Sequence, residues 1–151
     1  MTDAASLTAH TGYWLRMVSN AVSQEFARRV ADEGVTVAEW SFMRTLYDDA
    51  EGVAPSVLAA RMSMTRGAIS KLADRLVDKT LVARTDSRDD KRAHSLSLTA
   101  AGRAKVPVLA GLADQNDAAF FGVLTTEEHA TLRRILQALA ERRGLRTTPV
   151  D

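Results

Sequence analysis

The sequence predicts a mainly α-helical chain with one small β-hairpin, and two periodicities predict it. Apolar residues recur at three and four positions over long stretches near both ends and over shorter ones between them, whereas one central segment alternates apolar with polar residues. At 151 residues the chain suits one domain with a sizeable core. An apolar fraction of 46% beside 26% charged residues is that of a globular protein rather than a disordered one.

Leu15, Val18, Val22, Phe26 and Val30 share one face and predict a long helix from about Leu7 to Asp32, stopped by Gly34. Thr36-Val37-Ala38-Glu39 reads as a capping box, with Val35 and Trp40 at the staple positions, and opens a second helix from about Val37 to Asp48. Asp48 to Gly52 is a loop by composition. Pro55 suits the first turn of a short helix to Met62, because its missing N–H would have no helical partner there. Ser63-Met64 makes a tight break. Thr65 caps a fourth helix, with Met64 and Ile69 as its staple. Ile69, Leu72, Ala73 and Leu76 form its buried stripe and leave Arg66, Gly67, Ser70, Lys71 and Arg75 opposite. Two helices joined so closely, the second with a small, polar, basic outer face, describe a helix-turn-helix.

After Leu81 the period changes. Leu81 to Thr85 and His94 to Thr99 read as strands around a charged tip, Asp86 to Ala93, which together make a wing. Thr99 caps a fifth helix carrying Val106, Leu109, Leu112, Ala113 and Phe120, in which Pro107 is expected to introduce a kink or a break. Thr125 to Glu128 form another capping box, opening a sixth helix with Leu132, Ile135, Leu136 and Leu139 on one face. Arg146 to Asp151 read as a loose tail. The fold class is thus mainly α with a small β-wing: a winged helix-turn-helix lobe at about 36–99 within a single chain, flanked by helices at about 7–32 and 100–143.

The net charge of +1 hides an asymmetry. Residues 61–105 hold eleven Lys or Arg against five Asp or Glu, a balance of +6, while the remainder holds nine against fourteen. A basic middle between acidic flanks suits a polyanionic partner. Cysteine is absent, which excludes disulfides and thiolate sites and fits the cytosol. No apolar run approaches the ~20 residues of a membrane span. Met1 to Ser6 lack the basic-then-apolar order of a signal peptide, so a cytoplasmic location and no membrane partner are expected. His10, His94 and His129 are too scattered for a zinc site, and no metal or cofactor is expected. With no glycine-rich phosphate loop and no nucleophile elbow, the chain does not read as an enzyme.

This ordered set resembles the multiple-antibiotic-resistance regulator (MarR) family over about Leu7 to Arg143. The most specific parts are Leu58 to Met62, Thr65 to Leu76, the wing residues Asp86, Arg88 and Arg92, and the exit from the wing, Leu96 to Gly102. The resemblance implies a bacterial-type transcription regulator, more often a repressor than an activator. It implies a homodimer formed through the terminal helices on double-stranded DNA, with inverted half-sites roughly 10 base pairs apart. Two positions depart from the family pattern: Ser63 and Thr80 stand where glycine is common. Since a left-handed backbone strains a residue with a side chain, the recognition helix is expected to end with a different cap.

Gly67, Ala68 and Ser70 allow close approach to the major groove, where Arg66 and Lys71 can donate to guanine acceptors. Thr65 and Ser70 suit phosphate or base, and Arg75 suits the backbone. In the wing, Arg92 resembles the family arginine that enters the minor groove, with Arg88 and Lys91 counted as further DNA contacts, and the resemblance implies that Asp86 orients the wing by pairing with Arg88 or an arginine nearby. Many family members release DNA when a small aromatic or phenolic acid binds between the dimer helices and the lobe. Here His10, Tyr13, Trp14, Arg16, Trp40 and Met43 are candidates for such an effector site, although their helical spacing equally suits core or interface. The alternative from another class is a winged-helix module for protein–protein contact without specific DNA binding. Its recognition face would be neutral or apolar rather than basic.

Overall fold

The computed structural model describes residues 3–86, 94–146 and 149–150. Six helices and one hairpin follow in order: α1 (Thr11–Ala31), α2 (Val37–Tyr47), α3 (Pro55–Met62), α4 (Arg66–Asp78), β1 (Val82–Asp86), β2 (His94–Leu98), α5 (Ala100–Phe121) and α6 (Thr126–Arg142). The mainly α fold with a two-stranded wing is therefore as expected. The first helix begins later than its periodicity suggests. A single 3-10 turn (Leu7–Ala9) is followed by His10 in extended conformation, and the indole of Trp14 donates to the Thr8 carbonyl at 3.0 Å across that break.

Threonine caps start four of the helices. Thr36, Thr65, Thr99 and Thr125 each accept from an amide three residues on. Glu39 and Glu128 complete capping boxes by reaching back to the cap amide. Hydrogen bonds from the Thr125 amide and hydroxyl hold the exposed Glu128 carboxyl below the ordinary carboxylate range. That cap is complete at neutral pH and is lost only as pH falls through the lowered value.

Four helices end alike. A residue one to three positions past each adopts a left-handed backbone: Gly34 (φ 79°), Ser63 (φ 52°), Thr80 (φ 61°) and Gly144 (φ 64°). The amide of the following residue then reaches five residues back, Val35 to Val30, Met64 to Ala59, Leu81 to Leu76 and Leu145 to Ala140. This is the Schellman arrangement. The different cap expected at Thr80 is not what forms. The two bonds of the motif and the burial of Leu76 and Leu81 outweigh the strain of a β-branched residue there.

β1 and β2 pair antiparallel from Val82–Leu98 to Asp86–His94. Val53, read as lying just beyond a loop, pairs with Leu96 through two 2.8 Å bonds and so extends the wing's base. α5 starts so close above the hairpin that a Cβ at Gly102 would collide with the Leu81 carbonyl. Pro107 does not break α5; it lies on the exposed side, where the carbonyl it leaves unpaired is within reach of water. The core draws on Phe42, Met43 and Leu46 of α2, Leu58 and Met62 of α3, the stripe of α4, Leu96, and Val106 and Leu109 of α5. α1 adds Val30, and α6 adds no buried residue. Two residues of the tail make contacts: the Ser41 hydroxyl donates to the Pro149 carbonyl at 3.5 Å, and Val150 packs half-buried against the core.

Candidate nucleic-acid interface

α4 is amphipathic and both of its faces are accounted for. Ile69, Leu72, Ala73 and Leu76 are buried, while Thr65, Arg66, Gly67, Ser70, Lys71 and Arg75 are all exposed. The Thr65 hydroxyl accepts from the Ala68 amide at 3.1 Å, which fixes the helix N-terminus and points its positive dipole end outward with Arg66. Gly67 answers no internal demand. A Cβ there would meet nothing nearer than the Thr65 hydroxyl, 4.0 Å away. Glycine near the start of a helix costs stability without a packing reason, which points to an external body approaching the backbone.

The wing is tied to this helix by an ion pair the sequence analysis missed. Arg84 of β1 donates to Asp74 of α4 at 2.5 Å. The expected orienting pair was Asp86 with Arg88 or an arginine nearby. Only the backbone of Asp86 is described, pairing with His94, and Arg88, Lys91 and Arg92 lie outside the described residues. Between helix and wing lies a concavity of about 360 Å3, lined by Pro55, Ser56, Arg66, Ser70, Arg84 and His94. The Arg84 guanidinium is paired with Asp74, so Arg66 and the start of α3 supply the positive charge of this groove beside the recognition face.

The candidate effector residues are not brought together. Met43 is fully buried in the core, on the same inward face as Phe42 and Leu46. Tyr13 and Trp14 stack edge to face at 5.3 Å at the start of α1, where His10, Trp14 and Arg16 are exposed. Trp40 alone of the six lines a cleft, of about 490 Å3, between α1, α2 and α5. Val22, Phe26 and Val37 line it too, with Ser19, Ser23, Ser41, Asn116 and Asp117 as its polar groups, and no Lys, Arg or His among its described lining. Asn116 is buried and already committed, accepting from Arg29 Nε at 3.1 Å and donating to the Val22 carbonyl at 3.3 Å. For Met43 the core reading that helical spacing equally allowed is the one the structure shows.

Among the described residues no group of three His, Asp or Glu is placed to hold a metal ion, and no helix is long and apolar enough to cross a membrane.

Comparison with known proteins agrees with this architecture. A family model described as MarR family matches residues 33–93, from the turn after α1 into the wing. The HTH-type transcriptional repressor MdtR of Bacillus subtilis is 31% identical over 142 residues, covering 93% of this chain and 90% of that protein. The structure of YusO from Bacillus subtilis is 28% identical, with a TM-score of 0.74 over 93% of this chain and 99% of that one. A mutant MarR of E. coli, solved in complex with operator DNA, is 26% identical with a TM-score of 0.72 over 85% of this chain and 91% of that one. The chain belongs to the MarR family of transcription regulators.

Proposed function

We propose that this chain is a sequence-specific, double-stranded-DNA-binding repressor that acts as a homodimer on an inverted repeat in the cytoplasm. The observation that carries the reading is the outer face of α4, where exposed Arg66, Lys71 and Arg75 surround an unexplained glycine. Close approach of that backbone lets side chains reach base edges, and the flanking cations meet phosphate. The relative solved with operator DNA supports the same docking. Wing residues Arg88, Lys91 and Arg92 are proposed as further contacts, with Arg92 in the minor groove.

Two copies are proposed because apolar surface is left over. Leu7, Trp14, Leu15 and Val18 at one end of the chain, with Ile135, Leu136 and Leu139 on α6, are each at least 40% exposed. Exposed apolar stripes of that kind mark an interface. Two-fold pairing through it would set two α4 helices in successive major grooves.

The effector is proposed to enter the cleft beside Trp40. Its rings are apolar partners and its free polar groups are hydroxyls and a carboxylate, so a phenolic hydroxyl fits it better than the carboxylate of an aromatic acid.

Selection from random duplexes tests the reading. The protein should enrich an inverted repeat, and binding should weaken steeply with salt through counterion release. No preference for any palindrome over random duplex at low ionic strength would sink it.

A further inference from the structure

Glu39 is fully buried, the only buried charged side chain among the described residues. Its carboxylate serves two purposes. One is the capping box, with Oε1 accepting from the Thr36 amide at 3.0 Å. The other is Lys79, the residue just past α4, whose ammonium lies 3.0 Å from Oε1 and 2.9 Å from Oε2. The same ammonium donates to the Gly34 carbonyl at 2.8 Å. Its three donors meet three acceptors on two other elements, so its position is over-determined.

The turn that receives Lys79 is itself anchored. Glu33 pairs with Lys105 of α5 at 2.9 Å, and the Val35 amide bonds back to Val30 of α1. Residues 33–39 therefore form a junction at which α1, α5 and α2 meet the end of the recognition helix. Apolar packing under α4 is non-directional and tolerates a small pivot. Hydrogen bonds to a buried charge do not.

A pivot there would be magnified. α4 has 13 residues and so spans about 20 Å at 1.5 Å per residue. A tilt of about 10° at its C-terminal end carries Arg66 and Gly67 about 3.4 Å, the rise of one base pair.

We propose that Lys79 and Glu39 are positioning residues for DNA recognition: their strut holds α4 at a fixed angle to the dimer helices and so restricts which half-site spacing the two copies accept. The proposal rests on the dimeric DNA-binding reading above.

The test uses the double variant Glu39→Gln/Lys79→Met in the full chain. Glutamine keeps the capping box, and removing both charges leaves none buried without a partner. Duplexes selected by the unchanged protein are remade with the spacing lengthened or shortened by one base pair, and affinities are measured by gel shift. The unchanged protein should discriminate against these at least tenfold more strongly than the double variant, while both bind an isolated half-site equally. A role confined to stability would alter melting and leave the spacing preference intact, and that result overturns the proposal. If the double variant does not fold, Lys79→Arg takes its place. It keeps the charge but presents donors in a flat fork that cannot reproduce the three contacts, and discrimination should fall at least threefold. If the unchanged protein selects no inverted repeat, the dimeric DNA-binding reading fails and this inference with it. If it selects one and the variants discriminate as it does, only this inference fails.

Discussion

Helices α4 and α6 both carry a regular apolar stripe, and the chain treats them in opposite ways. α4, with 13 residues, buries Ile69, Leu72, Ala73 and Leu76. α6, with 17, buries none, and Ile135, Leu136 and Leu139 stay 40–48% exposed. The stripe of a helix states that it has a partner and not where that partner is. For α4 the partner is the rest of the winged lobe, closed over a core shared with α2, α3 and the hairpin. For α6 the described residues of the chain leave it open, and a second copy is the proposed cover. On that proposal stability and assembly are separable, one residing in the lobe and the other in the terminal helices.

The largest effects should follow that division. Leu76→Ala removes a fully buried side chain and is expected to cost about 2–5 kcal/mol in denaturant unfolding, with the cavity left in the core as part of the cost. The loss should be the same at any protein concentration. Leu136→Asp should behave otherwise. It is tolerated by the single chain, but a charge at a two-copy interface is expected to weaken association about a hundredfold, roughly 2.7 kcal/mol. Sedimentation would show monomer where the unchanged protein is dimeric, and the melting midpoint would depend on concentration. If Leu136→Asp lowered unfolding stability as much as Leu76→Ala, α6 would be packed within its own chain and the comparison would collapse.

Substitutions on the outer face of α4 sharpen the same contrast, because they should leave folding alone. Lys71→Ala is expected to weaken operator binding by about 1–3 kcal/mol, measured by gel shift, without moving the melting midpoint. Gly67→Ala is more discriminating. With open space around its Cβ, alanine should stabilise the free protein by about 0.5–1 kcal/mol through its better helix propensity. Operator affinity should nonetheless fall, since the methyl group intrudes where the groove approaches. A variant that melts higher and binds equally well would show that no backbone approach occurs at Gly67.

What could be read from the sequence was local. The four threonine caps, Pro55 at the start of α3, the limits of α3 and the burial stripe of α4 depend on residues within one turn of each other, and each appears as expected. The faces of the recognition helix were legible for the same reason. What could not be read was contact across the chain. Lys79 lies 40 residues from Glu39, and Arg84 lies ten from Asp74 across a change of element, so no spacing rule links them. The bridge from Val53 to Leu96 depends on the hairpin being folded first. For Met43 both a cleft and the core stood open, because periodicity places a residue on a face without saying which of the two that face meets, and it lies in the core. The left-handed backbone at Thr80 was missed because its local strain was weighed without the tertiary contacts that hold it.

Thr80 also offers the smallest and most exacting test. Helices α1 and α6 close on Gly34 and Gly144, whereas α3 and α4 close on Ser63 and Thr80 in the same left-handed conformation. Such a backbone costs a residue with a Cβ roughly 1–2 kcal/mol. Thr80→Gly relieves it, but glycine loosens the unfolded chain by roughly 0.4–1 kcal/mol, and the hydroxyl's 2.6 Å bond to the Lys79 carbonyl is lost. The backbone contacts should persist, because the Thr80 amide donates to Val77 and its carbonyl accepts from the Thr99 hydroxyl at 2.7 Å whatever the side chain. The net expectation is a gain of about 0.5 kcal/mol in chemical denaturation, with operator affinity unchanged. A loss of stability would mean that the threonine side chain helps to seat the end of α4, and that the lobe closes its helices by a means its terminal neighbours do not share.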